Sequence, residues 1–556
     1  MKKFFTLLLC SICLPVLRAQ SEGGLTITDI SAGYDYLRQD SVRGMEVTPG
    51  EFIYKFDLDS ASNTIVLALR QANKKGTKYK NSGRLLSLDA ATNEVLWARD
   101  MDYKKFNVGF LQQGIFISQK ISADKTQYNI VDNLDGRSII TTEAYPVHMD
   151  RQKDLLITSK IDHVSASAFS GNPGSYKSAI SGYSISSGER KWVRTVSGVS
   201  TYDNQIILDD STLMVFEGGL FSIDLDDGSG WDYQKTTTDT DHRSKAVDNG
   251  LKTRGSYVKY RPFWTGVRLI YMRDIHSNPM IHGDSIVWAS KESIQCLDKT
   301  GGLVWETQLP ADYASASRII ADDSTVYMLN YGYALNLIYN IYYGVPFIAA
   351  FDLESGRQKY LTSLEDIAVS HTFYSETESA YVLTPEAILR YSYITGDSIG
   401  ARYFDLQDDQ KGTMYFARHD LLLPEPEDTT AMRSLDQKYP STSLFIYMYD
   451  KGLFVVDGET FESVESVPLE KILVPYAESE GYLFAGNESG TRMLDIERKV
   501  IADFGMKSLG VLMGRDIYFF DKKRFVKIGL DQLLPSGMDI QSIPGKGLEV
   551  EDMRIY

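Results

Sequence analysis

The amino-acid sequence predicts an all-β fold, a β-propeller of four-stranded blades. Three observations lead to this prediction: short strands with alternating apolar residues, a hairpin that repeats along the chain, and an aromatic residue at a nearly fixed distance from an acidic one. Short runs of β-branched and aromatic residues, separated by turn residues, extend over most of the 556 positions. Long helical periodicity is hard to find, so the strand pattern decides the fold class.

The repeated hairpin is clearest at residues 83–97, "GRLLSLDAATNEVLW". Two leucines point to one face of a strand, Asp89 ends that strand, and Trp97 lies in the next one. An Asp side chain can accept backbone N–H groups of a tight turn. The fifth residue of the motif, Asn93, stands where the chain needs a positive φ, which Gly gives freely and Asn tolerates.

The hairpin returns at least eight times. The clear copies carry these motif residues: Gly188 with Trp192, Asp224 with Trp231, Asp298 with Trp305, and Asp352 with Gly356 and Tyr360. Weaker copies occupy residues 128–140, 388–400, 452–464 and 491–501. Another short apolar strand lies just upstream of most copies, so each unit is predicted to contain strand, turn, strand, turn and strand.

The aromatic residue of each copy is predicted to fill the gap between neighbouring sheets. A buried aromatic side chain covers about 150–250 Å², which at ~25 cal/mol/Å² contributes several kcal/mol per unit. Four-stranded sheets wedged in this way around an axis make a β-propeller. Spacings between copies vary from under forty to over seventy residues. We predict eight blades, within a range of seven to ten.

The chain divides into four segments. Residues 1–19 have a basic start, an apolar run and a small residue before the cut, which is typical of a secretory signal peptide. Residues 20–63 form an N-terminal segment, residues 64–530 the propeller, and residues 531–556 a C-terminal tail. Both ends, at 24–30 and 547–556, alternate like strands. One of them could complete the sheet begun at the other terminus and remove an exposed edge.

Charge and cysteine content exclude several classes of function. The net charge is -16, so the chain is a poor candidate for binding nucleic acid. Cys296 is the only cysteine outside the signal segment, and no intramolecular disulfide is expected. Beyond that segment no run approaches the roughly 18 apolar residues of a spanning helix. We expect an exported protein, periplasmic or secreted, that is a monomer without a membrane span.

The segments 88–97 and 297–305 resemble the PQQ-type β-propeller repeat, whose consensus runs approximately Leu-Asp-x-x-Thr-Gly-x-x-x-Trp. This family includes quinoprotein dehydrogenases and the BamB outer-membrane assembly propellers, and the resemblance covers most of the chain from residue 64 to about residue 530. It implies either a protein partner in the cell envelope or a PQQ-dependent oxidoreductase. The dehydrogenases carry an adjacent-cysteine disulfide and a calcium ion. A single cysteine cannot form that pair, and no acidic residue can be placed on the family's calcium or base positions. We therefore expect no cofactor and keep PQQ with Ca²⁺ as the alternative.

Three other motifs favour structural over chemical interpretations. The "GDSIG" at 396–400 matches a nucleophile elbow, but a strand rather than a helix is predicted to follow it. The "DLDDGSG" at 224–230 lacks the closing Glu of a calcium loop. His276 and His282 do not have the helical spacing of a zinc site. We interpret the first two as turns and expect no metal at the third.

Two insertions are the candidate binding sites, because loops on a propeller carry function and aromatic residues anchor interfaces. The insertion at 232–283 contains Arg261, Trp264 and Arg268. The insertion at 330–347 contains the tyrosines Tyr331, Tyr333, Tyr339, Tyr342 and Tyr343. The alternative is that these aromatics simply pack the insertions onto the ring. A third insertion, at 417–440, is interpreted as a plain polar loop.

The function predicted from the sequence is that of an exported, non-catalytic scaffold that binds a protein partner in the cell envelope. Two alternatives stay open. One is a PQQ-dependent oxidoreductase, and the other is a carbohydrate-binding propeller that uses the tyrosine-rich insertion to stack against a glycan.

Export gives a direct test. We expect the mature protein to begin near Gln20 and to carry no lipid, because neither Cys10 nor Cys13 has the context of a lipid-modified cysteine. Intact-mass measurement of the protein from its native envelope checks this. A diacylglycerol adduct on either cysteine would contradict it.

Overall fold

The computed structural model describes most of the chain, and the structural statements below concern the described residues. These are residues 20–22, 24–75, 77–111, 113–122, 125–163, 176–197, 205–208, 211–216, 220–233, 277, 279–290, 293–310, 317–330, 333–336, 339–342, 345–364, 371–374, 379–384, 386–404, 414–417, 423–424, 443–448, 452–467, 472–479, 482–487, 490–495, 500–506, 510–535, 538 and 540–542. The predicted signal segment and the strand-like stretch at 547–556 lie outside them.

The N-terminal segment forms three antiparallel strands. They are β1 (Gln20–Glu22), β2 (Leu25–Asp35) and β3 (Asp40–Thr48). The central strand β2 pairs with both of the others.

Eight separate four-stranded antiparallel sheets follow, here called units 1 to 8. Unit 1 is β4 (Phe52–Asp59), β5 (Thr64–Ala72), β6 (Tyr79–Asp89) and β7 (Val95–Asp102), and unit 2 is β8 (Phe106–Leu111), β9 (Gly114–Lys120), β10 (Thr126–Asp132) and β11 (Ser138–Thr142). Unit 3 is β12 (Tyr145–Asp150), β13 (Leu155–His163), β14 (Tyr176–Tyr183) and β15 (Arg190–Ser197). Unit 4 is β16 (Gln205–Leu208), β17 (Thr212–Phe216), β18 (Leu220–Asp224) and β19 (Asp232–Tyr233). Unit 5 is β20 (Met280–His282), β21 (Ser285–Ala289), β22 (Ser293–Asp298) and β23 (Leu303–Gln308). Unit 6 is β24 (Ser317–Ala321), β25 (Thr325–Asn330), β28 (Phe347–Asp352) and β29 (Gln358–Ser363). A separate hairpin of β26 (Tyr333–Asn336) and β27 (Tyr339–Tyr342) is inserted between β25 and β28. Unit 7 is β30 (His371–Tyr374), β31 (Ser379–Leu383), β32 (Ala387–Ser392) and β33 (Ser398–Tyr403). Unit 8 is β34 (Met414–Ala417), β36 (Ser443–Met448), β37 (Gly452–Asp457) and β38 (Ser463–Val467), and the short strand β35 (Leu423–Pro424) is inserted between β34 and β36.

The remaining strands belong to one twelve-stranded sheet that contains two further four-stranded runs, units 9 and 10. Unit 9 is β39 (Ile472–Ser479), β40 (Tyr482–Asn487), β41 (Gly490–Asp495) and β42 (Val500–Asp503). Unit 10 is β43 (Gly510–Met513), β44 (Asp516–Phe520), β45 (Phe525–Gly529) and the N-terminal strand β3, followed by a 3-10 turn at Leu530–Gln532. Finally, β46 (Ile540–Ser542) and the inserted β35 both pair with β39. Part of the third insertion is therefore a strand rather than a plain polar loop.

The prediction of an all-β propeller of four-stranded blades is confirmed. Four-stranded runs number ten among the described residues, at the upper end of the range of seven to ten. Two of them share one continuous sheet, and the number of blades stays a prediction.

The N-terminal segment completes the last unit. Met45 and Val47 of β3 are register partners of Lys527 and Phe525 in β45, and the outer strand β2 also pairs with β42 of unit 9. Strands from opposite ends of the chain therefore share one sheet, and the edge of β45 is paired instead of exposed.

The core lies between neighbouring sheets. In β5, Ile65 and Leu67 pack toward unit 10, whereas Val66 and Ala68 pack toward unit 2. All four side chains are fully buried. A strand covered on both faces needs a continuous apolar run rather than an alternating one, which explains the sequence "TIVLAL" at 64–69.

The motif turns form as their residue types dictate. The Asp89 carboxylate accepts the N–H groups of Ala91 and Thr92 at 2.9 and 2.8 Å. Asn93 has a φ of 60°, a conformation that Asn tolerates far better than most residues do. Gly188, Gly228 and Gly356 have φ values between 70° and 74° at the equivalent position.

The motif aromatics join five of the units to the unit that follows. The Trp97 indole N–H donates to the carbonyl oxygen of Asn133, directly after the turn Asp of unit 2, at 2.7 Å. The same bond recurs between these donors and acceptors: Trp192 and Leu225 at 3.0 Å, Trp231 and Lys299 at 2.8 Å, Trp305 and Leu353 at 2.9 Å, and the Tyr360 hydroxyl and Tyr393 at 2.5 Å. Five interfaces between units therefore use one contact.

We predict that Trp97→Ala and Trp305→Ala each lower the free energy of unfolding by about 3–5 kcal/mol, as large-to-small changes in a core do. Each removes a ring from between two sheets and leaves a turn carbonyl without its donor. Denaturant unfolding measures the loss. Leu96→Ala, at a side chain 39% exposed beside Trp97, is the matched control and should cost much less. A loss under about half a kilocalorie for the Trp variants would contradict the wedge role.

Candidate functional site

The strand order gives the ring two distinct sides. Within each unit neighbouring strands pair antiparallel, and the motif aromatic of one unit bonds to the motif turn of the next, as Trp97 does to Asn133. We infer from these contacts that the units share one orientation. The motif turns, such as 90–94 and 353–357, therefore lie on one side, which we call the turn side. The connections from the second to the third strand, and from the fourth strand to the next unit, lie opposite. We call this the insertion side.

Both candidate insertions emerge on the insertion side. The segment after β19 connects a fourth strand to the next unit, and the hairpin β26–β27 connects the second and third strands of unit 6. The units involved are consecutive. Arg261, Trp264, Arg268, Tyr331 and Tyr343 lie outside the described residues.

The tyrosine-rich insertion is partly described. Its hairpin pairs Tyr333 with Tyr342 and Asn336 with Tyr339. The backbone thus brings the first and last tyrosines of the hairpin together across the ladder, on an extension of unit 6. The sequence indicated a connection here rather than a two-stranded hairpin.

An aromatic and arginine cluster lies on the insertion side of unit 1. The Arg70 guanidinium lies over the rings of Tyr54, Tyr79 and Tyr103, with its central carbon 4.7, 5.4 and 5.2 Å from the three ring centroids. The Tyr54 ring packs edge-on against Tyr79 and Tyr103. Arg70 is held in place because Nε donates to the carbonyl of Lys80 at 2.7 Å. We call these four residues the Arg70 cluster.

The cluster carries one positive charge. Burial raises the pKa of Tyr103 well above its usual range, although the nearby Arg70 charge opposes the shift. Burial likewise raises the pKa of Tyr79. Both hydroxyls therefore stay protonated at neutral pH. A cation held over neutral rings is a stable anchor because the ring faces attract it.

Sequence reasoning missed the Arg70 cluster. Its members come from β4, β5, β6 and the connection after β7, so no local motif unites them. One signal was present in the sequence: no Asp or Glu stands between Asp59 and Asp89, although the chain contains 74 acidic residues. That stretch contains Arg70 and a dense group of lysines.

The turn side contains a buried polar network instead. The Asp59 carboxylate accepts an N–H of the Asn133 side chain at 2.9 Å. One unit further, both Asp132 oxygens accept from Arg151 at 2.6 and 2.8 Å. The Arg151 guanidinium also donates to the Gln113 carbonyl at 2.7 Å. These bonds join units 1, 2 and 3, so the acidic residues here hold the ring together.

Asp57 is a half-buried carboxyl beside this network. Its register partner is Val66, which packs between units 1 and 2, and cross-strand partners share a face of the sheet. Burial, and secondly the neighbouring Asp59 charge, raise the pKa of Asp57 to about 6.

The described residues do not provide the ligand groups that PQQ and a calcium ion would need. Among them, no group of three or more His, Cys, Asp and Glu side chains is placed to hold a metal ion. Cys296 is a free, buried thiol, and burial raises its pKa. The Asp224 carboxylate accepts the N–H groups of Asp226 and Asp227, which is turn geometry. We derive no chemistry through this cofactor.

The remaining motif residues also occupy structural positions. Ser398 begins β33 directly after a turn, so the "GDSIG" segment connects two strands and lacks the strand-to-helix context of a nucleophile elbow. His282 ends β20, with its Nε2 4.0 Å from the exposed Asp323 carboxylate, whereas His276 lies outside the described residues.

Comparison with known proteins shows likeness of fold only. No family model matches the chain, and no curated protein matches it. Among solved structures it is similar to BamB from Moraxella catarrhalis, with 13% identity and a TM-score of 0.30 over 76% of this chain and 96% of that one. It is also similar to apo AztD from Citrobacter koseri, with 11% identity and a TM-score of 0.28 over 70% and 92%. The dihydro-heme d1 dehydrogenase NirN in complex with DHE gives 11% identity and a TM-score of 0.27 over 70% and 76%. Because these identities and scores are low, we draw no functional conclusion from them.

The structure shows no helix within its described ranges that is long and apolar enough to cross a membrane.

We predict that Asp57→Asn stabilises the protein by about 2 kcal/mol near neutral pH. A pKa raised from 3.8 to about 6 corresponds to ~3 kcal/mol at ~1.4 kcal/mol per pKa unit, and solvent screening of a half-buried carboxyl reduces this. The folded-state pKa is raised, so the native state binds this proton more tightly than the unfolded chain does. Its contribution is favourable at low pH and is lost as pH rises from about 4 through about 6. Urea unfolding of both proteins near pH 4 and near pH 7.5 measures the difference.

The gain from Asp57→Asn should fade toward the lower pH. Asp100→Asn, at an exposed position on β7, is the control and should show little pH-dependent gain. An equal effect of Asp57→Asn at both pH values would show that ionisation of Asp57 does not limit stability.

Proposed function

We propose that this chain is an exported, non-catalytic β-propeller of the PQQ-type repeat family that binds a protein partner in the cell envelope through its insertion side. One observation carries the proposal. The strand ends from which the two candidate insertions leave the ring, and the Arg70 cluster, found independently, all lie on this side. Aromatic and Arg residues together are the usual composition of interface hot spots.

The bonding of the carboxylates on the turn side supports a non-catalytic role. On the turn side, the carboxylates of Asp59, Asp89 and Asp132 are already bonded to turns or to the next unit. Side chains committed to such bonds hold the ring and leave binding to the connections opposite. The repeated Trp contact between units supports the PQQ-type family, whose consensus places a Trp at this position.

The test replaces Tyr339, Tyr342 and Tyr343 by Ala. We expect the melting temperature to stay nearly unchanged and the affinity for the partner to fall by at least about thirtyfold, since one hot-spot truncation costs ~2 kcal/mol or more. The partner is first captured from the native envelope, identified by mass spectrometry and purified. Its affinity for both proteins is then measured directly.

The control replaces Tyr34 and Tyr36, which are 42% and 44% exposed and lie at the turn-side end of β2. We expect this variant to keep its affinity. Early unfolding of the insertion variant would show that its tyrosines belong to the core. Normal melting with full affinity would place the site elsewhere, and capture of a glycan instead of a protein would favour the carbohydrate-binding alternative.

A further inference from the structure

The insertion side of unit 1 is strongly basic in a chain with a net charge of -16. Four of the seven residues from 74 to 80 are lysine: Lys74, Lys75, Lys78 and Lys80. All four are exposed, in the connection from β5 to β6 and at the start of strand β6. Within the described part of the chain, none of them pairs with a carboxylate. Exposed like charges repel one another, so a cluster without acidic partners favours the approach of an anion.

The neighbouring connection extends the same surface. The backbone N–H of Tyr103 donates to the Asn81 carbonyl at 2.6 Å, which places the connection after β7 against the start of β6. Lys104 and Lys105 follow and are exposed. Asp102 lies beside both: its carboxylate is 3.8 Å from the Lys105 ammonium and accepts the backbone N–H of Lys104 at 3.0 Å. Among the described residues no carboxylate pairs with the Lys104 ammonium. The lysines therefore surround the Arg70 cluster from two connections.

The Arg70 cluster gives this surface a fixed centre. Nε and Nη2 of Arg70 donate to Lys80 and to the Asn81 side chain at 2.7 and 2.9 Å, and three rings hold the guanidinium in place. The exposed lysines, with their flexible side chains, stand in the two connections beside it. A rigid arginine with mobile lysines nearby suits carboxylates at several positions, because arginine fixes one and lysines adapt to the others.

We propose that the Arg70 cluster and the lysines at 74, 75, 78, 80 and 104 form a docking surface for an acidic polypeptide segment of the partner. This inference rests on the proposed function and adds the chemistry that the partner must present. Charge complementarity is its basis, since opposite potentials steer association and select partners.

The geometry favours a peptide over a sugar or a membrane. The Arg70 guanidinium covers one face of each of the three tyrosine rings, which reduces the ring surface on which a sugar could stack. Carboxylates also lie on this side: Glu51 pairs with Arg84 at 2.7 Å and Glu143 with Lys160 at 3.1 Å. A broad anionic surface would meet these acids, whereas a short acidic segment can contact the lysines alone.

The experiment uses the full chain and a fluorescent peptide of about twelve residues rich in Glu, with a Gln-rich peptide of equal length beside it. We expect the Glu peptide to bind and the Gln peptide not to. The triple variant Lys74→Glu, Lys75→Glu and Lys78→Glu should weaken binding of the Glu peptide by at least about tenfold, since three exposed ion pairs are each worth a few tenths to one kcal/mol and their repulsive replacements add to the loss.

The matched control replaces three exposed basic residues on the turn side, Arg190, Lys191 and Arg357, by Glu. Its net charge changes equally, so an effect of total charge would appear in both variants. We expect less than about a twofold change in the control. Raising salt from about 50 to about 300 mM should weaken wild-type binding and affect the lysine variant little, because screening acts on exposed charges. Melting curves verify that both variants fold.

Several outcomes would overturn this inference. Equal loss in the turn-side control would show binding by net charge alone. Binding to polygalacturonate or to anionic phospholipid vesicles, with the same lysine dependence and without peptide binding, would identify a glycan or a membrane as the occupant. If the lysine variant keeps full affinity for the purified partner while the tyrosine variant loses it, the acidic-segment inference fails and the proposed function stands. If both variants keep it, the proposed function fails as well.

Discussion

The ring depends on one contact repeated between neighbouring units: an aromatic side chain donates a hydrogen bond to a turn carbonyl of the next sheet. The contact works because the turn residue facing the ring has no side chain. A Cβ added to Gly136 or Gly228 would lie within 3 Å of the ring of Trp97 or Trp192. A second bond often accompanies it, as when Thr307 and Thr362 donate to the carbonyls of Gly356 and Gly396 at 2.6 and 2.8 Å. Two bonds and a buried ring fix the angle between sheets more narrowly than apolar packing alone.

At the interface between units 7 and 8 the motif aromatic of unit 7 is absent, and unit 8 supplies an aromatic ring in its place. Gly400 occupies the aromatic position of unit 7, and the facing turn of unit 8 carries Phe461 instead of glycine. The Phe461 ring lies over Gly400, and its φ is 60°. That conformation costs about 1–3 kcal/mol for a residue other than glycine, an amount that burying the ring can offset. At the closing interface, Asn93 donates to the sulfur of Met45 at 3.0 Å, so a flexible side chain replaces the ring.

Most of the fold could be predicted from the sequence, but little of the candidate site could. Strand alternation, turn chemistry and the spacing of Asp89 and Trp97 are local signals, and local signals survive in a single sequence. The pairing of β3 with β45 is not local, because alternation in the terminal segments reveals strands but not their partners. The Arg70 cluster is likewise assembled by pleat and register from four separate segments. Its lysines are visible in the sequence, but only the strand order shows that they lie on the same side as the strand ends that flank the aromatic insertions.

The pairing of β3 with β45 also shapes how the molecule must be made. Arg524 and Glu46, which form an ion pair beside this pairing, are 478 residues apart in the chain. During synthesis β3 therefore waits until β45 has been made, and the edge of β3 that pairs with β45 stays open until then. Closing so long a loop carries an entropic cost that grows only slowly with length, but it delays completion of the ring. A nascent chain that has not yet made β45 therefore behaves as an unfinished stack of sheets, and the pairing of β3 with β45 covers an edge of each strand.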